Sequence, residues 1–423
     1  MKILYISQYF SPEMGAPAAR ASELSRHWVR MGHDVTVLTG FPNHPTGVVP
    51  AAWRSPLRHL RYSEGVDGVQ VERTWLWPLP NRKAHERIRN YVSFCISAAL
   101  TGVGLAKPDV IIATSPQLLC ALAGWWIARW KRVPFVFEVR DLWPESLAAV
   151  GAGGEGTLLH RTLGAIAGFL YKRADRIVVV TPAFKEHLIR YWQVRAERIA
   201  VVENGVETDL FRLDEAAAAE IRNRLNLDHR FLICYVGTMG MAHGLETLIA
   251  AAEELQTTLP NAMFLLIGEG AEKQRIIELA AERRLTNIRF LDQQPREHIP
   301  AFISSSDLCL VLLKRTDLFK TVIPTKLLEY MACARPVIVA VDGQSRQIIE
   351  EARAGVFTPP EDSGALAKTI CELAHDPARR NQMGTNGRQY IVEKLSRGQT
   401  AQNYISVLEE LLGQEDVPRV AAA

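Results

Sequence analysis

Apolar and polar positions along the chain fall into two alternating patterns. Short, nearly continuous apolar runs are separated by longer stretches in which apolar residues recur every three or four positions. The runs read as buried parallel strands and the stretches as amphipathic helices covering a sheet. Residues 2–7 are predicted to form a first strand and Ala18–Met31 a first helix, which Gly32 closes as a C-terminal glycine does. Further strands fit Val35–Thr39, Val69–Arg73, Val110–Ala113, Phe135–Val139 and Arg176–Val180.

The pattern then restarts. Phe231–Val236, Ala262–Ile267, Ile288–Leu291, Leu308–Leu312, Pro336–Val341 and Gly355–Phe357 read as strands, with helices between them such as Leu245–Leu255. The chain is therefore predicted to be α/β, with two Rossmann-like parallel-sheet domains joined near Asn204 and Gly205. Residues 1–204 make the first domain and 205–400 the second; 401–423 add a last helix, near Thr400–Leu412, and a tail, the helix being free to return to the first domain. Ligands of open parallel sheets sit outside the carboxyl ends of the strands. Two such sheets facing each other make an interdomain cleft, so chemistry is expected in the loops that line it. Those loops lie around Gly15, Phe41–Pro45, Arg140–Glu145, Gly237–Gly244, Gly268–Gly270 and Lys314–Glu329.

Composition narrows the class. With 423 residues the chain is too long for one ordinary core, and 48% hydrophobic with 22% charged residues is the balance of a globular protein. A net charge of +3 argues against a nucleic-acid binder that lives on phosphate contacts. Six scattered cysteines without a C-x-x-C pair read as reduced, buried thiols of a cytoplasmic protein. Gln8 interrupts the first apolar run and Pro12 and Glu13 follow, so no secretory h-region of roughly 7–15 apolar residues is expected. Nor does any uncharged apolar stretch reach the ~18 residues that span a bilayer.

Pro324-Thr325-Lys326-Leu327-Leu328-Glu329 is the most informative segment. It reads as a helix start with Thr325 as N-cap, where free N–H groups and the helix dipole make an anion site. Lys326 there would hold a diphosphate and Glu329, on the same face, ribose hydroxyls; the same two residues would equally form an exposed surface pair. Gly237-Thr238-Met239-Gly240, with His243 and Gly244 beyond it, follows the first strand of the second domain. It reads as a loop that lets backbone approach a phosphate, or as an ordinary strand-to-helix turn. Gly268 closes the next strand. In the first domain Glu138 and Arg140 share a face at a strand end, with Asp141 following, as a ligand site or a structural Arg–carboxylate pair. Gly15 lies in a loop that lacks the G-x-G-x-x-G fingerprint, which disfavours an NAD enzyme. No Asp-x-Asp is present, so no metal and no other cofactor is expected, and cations with helix dipoles would stabilise a leaving group. The basic run Asn81–Arg89 precedes the uncharged Tyr91–Ala106, and Trp125-Trp126 lie in a second apolar segment. These read as a membrane-surface or lipid contact, or as a buried helix with a solvated basic end.

The order of these motifs resembles the retaining glycosyltransferases of family 4, over nearly the whole chain. The resemblance implies the GT-B fold, with an N-terminal acceptor domain and a C-terminal nucleotide-sugar domain. Glu329-Tyr330-Met331-Ala332-Cys333-Ala334-Arg335-Pro336-Val337-Ile338 matches the second half of the family's Glu-x7-Glu motif, whose first glutamate falls on Thr321. The family's Gly-Arg-Leu…Lys-Gly loop aligns from Gly237 to Gly244 with Thr238 for the arginine and His243 for the lysine. Two usual cations are therefore missing; Lys326 is expected to replace part of that charge, with His243. A histidine usual at the strand end of the first domain corresponds to Arg140. Ser7–Glu13, Thr39–Pro45, Arg140–Glu145 and Pro324–Lys326 together look similar to the WbuB-type L-fucosamine transferases of bacterial surface polysaccharide assembly.

The resemblance implies transfer of an N-acetylated sugar from a UDP-sugar to a lipid-diphosphate-linked saccharide, at the inner face of the plasma membrane. Arg140, Asp141 and Lys326 are the candidate catalytic residues. Gly15, Gly237, Thr238, Gly240, His243, Gly268, Thr325, Lys326 and Glu329 are the candidate donor-binding set. A nucleotide-sugar epimerase of the same architecture is the principal alternative, with a nicotinamide oxidoreductase and a non-catalytic membrane scaffold behind it.

Overall fold

The computed structural model of the chain describes residues 1–44, 46–80, 84–146 and 157–413. Pro45, Asn81, Arg82, Lys83 and the tail from residue 414 onward lie outside the described residues. The chain divides into two units, residues 1–204 with 397–423, and residues 205–396.

The first unit is built on eight strands: β1 Lys2–Ile6, β2 Asp34–Gly40, β3 Arg61–Val66, β4 Val69–Thr74, β5 Val110–Thr114, β6 Phe135–Val139, β7 Arg176–Val179 and β8 Ile199–Val201. Their order across the sheet is β3-β4-β2-β1-β5-β6-β7-β8, parallel except for the β3/β4 hairpin. Strands β5 and β6 are fully buried and β1 is buried after Lys2, as strands covered by helices on both faces must be. Chain direction across the sheet reverses between β1 and β5, so the loops leaving their carboxyl ends open the crevice where ligands of such sheets bind.

The second unit has six strands, β9 Phe231–Val236, β10 Ala262–Ile267, β11 Ile288–Leu291, β12 Leu308–Leu312, β13 Val337–Ala340 and β14 Gly355–Phe357. They are all parallel in the order β11-β10-β9-β12-β13-β14, and the reversal falls between β9 and β12. Two apolar clusters cover its faces, one including Val236, Leu327 and Tyr330, the other Tyr235, Leu248 and Leu266.

The helix Arg397–Gly413 belongs to the first unit. Its Tyr404 packs edge-on against Trp28 at 5.2 Å, Trp28 Nε1 donates to the Ala401 carbonyl, and Arg397 makes a buried 2.8 Å ion pair with Glu23. The junction between the units is short, from Asn204 to Gly205 on the outward passage and at Ser396–Arg397 on the return. Of the six cysteines, all free, Cys120, Cys234, Cys309 and Cys333 are buried while Cys95 and Cys371 are partly exposed.

Candidate functional site

In the second unit the reversal between β9 and β12 gathers most of the residues singled out by the sequence. Leaving β9, Gly237 has φ 137°, a backbone open to glycine, and a Cβ there would come within 2.9 Å of Lys326 Nζ. Gly268, leaving β10, is buried against this loop, and a Cβ on it would lie 2.0 Å from the Gly237 carbonyl oxygen. Gly268 thus supports the loop from beneath, where the need for a glycine is explained by packing. The Met239 N–H donates to the Glu269 carbonyl at 2.8 Å and locks the two loops together. Thr238 is exposed, and Gly240 leads into a short 3-10 turn, Met241–His243.

The helix Thr325–Ala332 begins after β12. Pro324, not Thr325, is its N-cap, and no side chain caps the first turn. Proline's fixed φ suits the entry, and Thr325 becomes the first helical residue instead of the predicted cap. The N–H groups of Thr325 and Lys326 consequently have no partner within the helix and remain able to meet an anion.

Lys326 is half-buried as a residue, but its ammonium nitrogen is sealed and has no hydrogen-bond partner. It lies 3.8 Å from the centroid of the Tyr235 ring, whose hydroxyl is tied to the Thr238 carbonyl at 2.7 Å. The ring's negative face compensates part of the lost hydration. Burial still dominates and depresses the amine to a pKa of about 7, against the opposing pull of Glu329. A lysine in this state is a poor surface pair and a well-placed receptor for a phosphate. The surface-pair alternative fails on Glu329 as well, because its Oε1 is held by Arg296 Nη1 at 3.0 Å. Arg296 in turn lies over the Phe211 ring at 4.9 Å.

His243 does not add a second cation. Its Nδ1 is buried without a partner, and burial together with the Lys326 charge pushes its pKa down to about 3. A neutral imidazole, 6.1 Å edge-on from the Tyr235 ring, stands there at every physiological pH. The expectation that His243 would replace missing positive charge is thus corrected. Two cations placed this close in a dry pocket repel, and the imidazole is the one that loses its proton.

The first unit holds a second set of residues at the carboxyl ends of its strands. Gly15 is exposed and precedes the helix Ala16–Arg30. In the same loop the Glu13 carboxylate accepts the N–H groups of Asn43 and His44, each at 2.9 Å, while burial raises its pKa to about 7. At the end of β6 the predicted face-sharing of Glu138 and Arg140 takes an unexpected form. Glu138 is fully buried and bonded to Arg20, through Nε at 3.0 Å and Nη2 at 2.8 Å, and to the Tyr5 hydroxyl at 2.8 Å. Arg20 also donates to Asn204 Oδ1 at 2.9 Å. The structural Arg–carboxylate pair exists, but its arginine comes from the helix Ala16–Arg30, not from Arg140.

Arg140 is left with Nε and Nη1 buried and without partners. Its backbone N–H, at 2.7 Å, and that of Asp141, at 3.3 Å, both donate to Ser115 Oγ, which fixes the turn. Burial pushes the Asp141 carboxyl up to about 6 despite the neighbouring Arg140. Glu145, by contrast, is structural, accepting from His187 Nε2 at 3.0 Å and Trp192 Nε1 at 3.2 Å.

Sequence reasoning missed Tyr235, Arg296 and Arg20. Tyr235 was legible in principle, since it stands two positions before Gly237 in the strand that feeds the loop. Arg296 and Arg20 carry no local signal: one follows the edge strand β11 and the other is buried inside a helix, so only the tertiary structure brings them to Glu329 and Glu138. Among the described residues, no cluster of three or more His, Cys, Asp or Glu side chains is arranged to hold a metal.

Comparison with known proteins finds glycosyl transferases. Residues 15–205 match the family described as glycosyl transferase 4-like domain, and residues 218–390 match glycosyl transferases group 1. A curated relative is the putative colanic acid biosynthesis glycosyl transferase WcaI of Escherichia coli K12, 25% identical over 96% of this chain and 99% of that protein. Among solved structures, sucrose-phosphate synthase from Thermosynechococcus elongatus superposes with a TM-score of 0.79 at 21% identity, covering 98% of this chain and 99% of that one. HepE of Anabaena in complex with UDP-glucose gives 0.72 at 18% identity, over 97% and 100% of the two chains. The fold class is therefore GT-B, two parallel-sheet α/β domains.

Proposed function

Because the chain carries a glycosyl transferase 4-like domain followed by a group 1 glycosyl transferase domain, we propose that it moves a sugar from a UDP-sugar donor to a lipid-diphosphate-linked saccharide, retaining the anomeric configuration. The observation that carries this reading is the Lys326 ammonium, buried without a partner beside Gly237 and the uncapped first turn of the helix Thr325–Ala332. Such a constellation offers one cation and free N–H groups to a departing diphosphate, where negative charge develops as the glycosidic bond breaks. Glu329, oriented by Arg296, accepts the ribose hydroxyls. The backbone of Gly237, Thr238 and Gly240 borders the phosphates, with His243 as a neutral neighbour, and Thr325 offers its N–H. Gly15, exposed ahead of the helix Ala16–Arg30, offers its backbone to an anion on the first unit. Arg140, whose guanidinium lacks partners, takes an anionic part of the acceptor, and Asp141 lies next to it.

The reading needs no metal, since Lys326 and the helix start supply the positive potential. The donor class draws support from HepE, solved with UDP-glucose, and a role in surface polysaccharide assembly from WcaI, named for colanic acid biosynthesis. An N-acetylated donor of the L-fucosamine kind and a peripheral place at the inner membrane face complete the proposal. The epimerase alternative is not favoured, because both domains match glycosyl transferases.

The test is a panel of UDP-sugars offered with a lipid-diphosphate GlcNAc acceptor and followed by mass spectrometry, with the anomeric configuration of the product read by NMR. One donor should extend the acceptor by a single sugar with retention. Conversion of the UDP-sugar without any acceptor, or no transfer from any UDP-sugar, would refute it.

A further inference from the structure

The helix Ala84–Gly104 has two unlike faces. Asn90, Phe94 and Ala98 are buried, and the helix packs on its neighbour, Leu118–Lys131. On the other side Ile88, Val92, Ile96 and Leu100 follow one another at intervals of four, which places them in one stripe. All four are exposed, Ile96 at 57% and Leu100 at 73%. The stripe forms one wall of a groove of about 680 Å³, and Leu60, Trp75 and Trp77 line the other parts of it. Among the described residues, no acidic side chain lines this groove. Arg89 does, its guanidinium 5.7 Å from the Trp77 ring centroid, and Arg87 is exposed beside it. Arg61 also borders the groove but is paired with Glu72 and brings little net charge.

A second exposed patch lies on the adjacent helix. Trp126 and Trp130, one turn apart, are half or more exposed and surround a hollow of about 340 Å³ with Arg129 and Arg132. Lys131 Nζ donates to the carbonyls of Val103, at 2.9 Å, and Leu105, at 2.6 Å, so the ends of the two helices are tied together next to Leu100 and Trp130. Soluble monomers rarely leave a continuous apolar stripe of this kind uncovered. Tryptophan and arginine beside exposed aliphatics are the mixture found where protein meets the headgroup boundary of a bilayer. No described helix is long and apolar enough to cross a membrane. A contact along the surface is what remains for these helices.

We propose that this face of the first unit docks on a membrane surface rich in anionic headgroups. The Ile88–Leu100 stripe, Trp126 and Trp130 reach the acyl boundary, while Arg87, Arg89, Arg129 and Arg132 meet phosphates. Charge favours this occupant over a second copy of the chain, because a symmetric contact across the stripe sets arginine near arginine with no acid in the groove to offset it. The proposal deepens the lipid-linked acceptor reading above, yet docking itself needs neither donor nor acceptor.

The experiment is co-sedimentation of the full chain with vesicles of phosphatidylcholine alone and with added phosphatidylglycerol, for the wild type and for Ile96→Glu combined with Leu100→Glu. Wild-type binding should require the anionic lipid and fall with salt. The double variant should partition at least about tenfold more weakly, since two charges replace two inserted aliphatics. Its circular dichroism and its transfer to a short-chain, detergent-soluble acceptor should be unchanged. Absent binding by the wild type, equal binding by the variant, or a wild-type dimer that the variant dissociates without any vesicle binding each overturns the proposal. Vesicle binding without transfer to any acceptor would leave docking standing and refute only the enzymatic reading.

Discussion

Replacing Lys326 by methionine separates a binding role from a structural one, because the two predict opposite signs. Methionine keeps the apolar stem and most of the volume but removes the charge. In the free protein the ammonium is buried over Tyr235 without a hydrogen-bond partner, and its pKa is about 7. The unfolded chain holds the same proton up to about pH 10.4. Between these values the unfolded state binds more protons than the folded one, so this group's contribution to stability rises with pH across the window and is least favourable near and below pH 7. Removing it should leave the protein as stable at pH 7 or more so, by about 1 kcal/mol, the lower end of the penalty for an unsatisfied buried group.

Binding changes in the other direction. A diphosphate gives the ammonium its missing partner and pulls its pKa up, so one proton is taken up when UDP binds above pH 7. Wild-type affinity for UDP should therefore weaken by up to about tenfold per pH unit above ~7.5, where the nucleotide's own phosphate has finished titrating. In Lys326→Met this slope should vanish. Near neutrality the affinity should already be lower by roughly 10- to 100-fold, the worth of one charge-assisted hydrogen bond. Calorimetry in two buffers of different ionisation enthalpy reads both the constant and the proton count, and thermal melts read stability. A variant that binds UDP as the wild type does, or that melts lower at pH 7, would refute the assignment of Lys326 to the diphosphate.

Three further outcomes follow from the same geometry. Glu329→Ala removes the carboxylate that Arg296 orients, and UDP affinity by calorimetry should fall about tenfold, the worth of a hydrogen bond to a charged group; unchanged affinity removes the ribose role. Gly237→Ala places a Cβ against Lys326 Nζ at a φ of 137°, at a strain of about 1–3 kcal/mol, so both UDP binding and thermal stability should drop. Glu138→Ala leaves Arg20 buried without its carboxylate, which should lower stability in urea by about 3–5 kcal/mol; a variant of wild-type stability would mean that Arg20 finds other acceptors.

The parallel strands were legible because burial on both faces makes them continuous apolar runs, and β5, β6, β9, β10 and β12 lie within a residue of their predicted bounds. Strand β3 was not legible: Arg61–Val66 has no buried residue, so no hydrophobic period marks it. It exists because its backbone pairs antiparallel with β4. At the candidate site, the glycines and Lys326 stood out through their spacing from strand ends. What the spacing does not contain is protonation. Nothing local distinguishes a charged His243 from a neutral one; that depends on Lys326 arriving from a segment more than eighty residues away and on the dryness of their shared pocket. The exchange of partners at Glu138, for which Arg20 displaced Arg140, is hidden for the same reason.

The two unpartnered cations gain meaning from the carboxylates around them. In the first unit Glu138 is close enough to influence Arg140, yet its oxygens are taken by Arg20 and Tyr5. In the second unit Glu329 influences Lys326, yet an oxygen is taken by Arg296. Each unit thus contains an acid able to neutralise its buried cation and holds that acid with a different arginine. A chain under selection for stability alone would pair the nearest opposite charges, because an uncompensated buried charge costs more than a paired one. On the proposed reading, holding the acids away keeps Arg140 and Lys326 desolvated, so that an incoming anion meets a cation whose hydration has already been removed. Preorganisation of this kind favours the charge that develops on a leaving diphosphate over water. It also ties the two units to one logic: a carboxylate freed from its arginine, as in Arg296→Leu, should swing toward Lys326 and raise its pKa while weakening UDP binding, although neither Lys326 nor Glu329 has been altered.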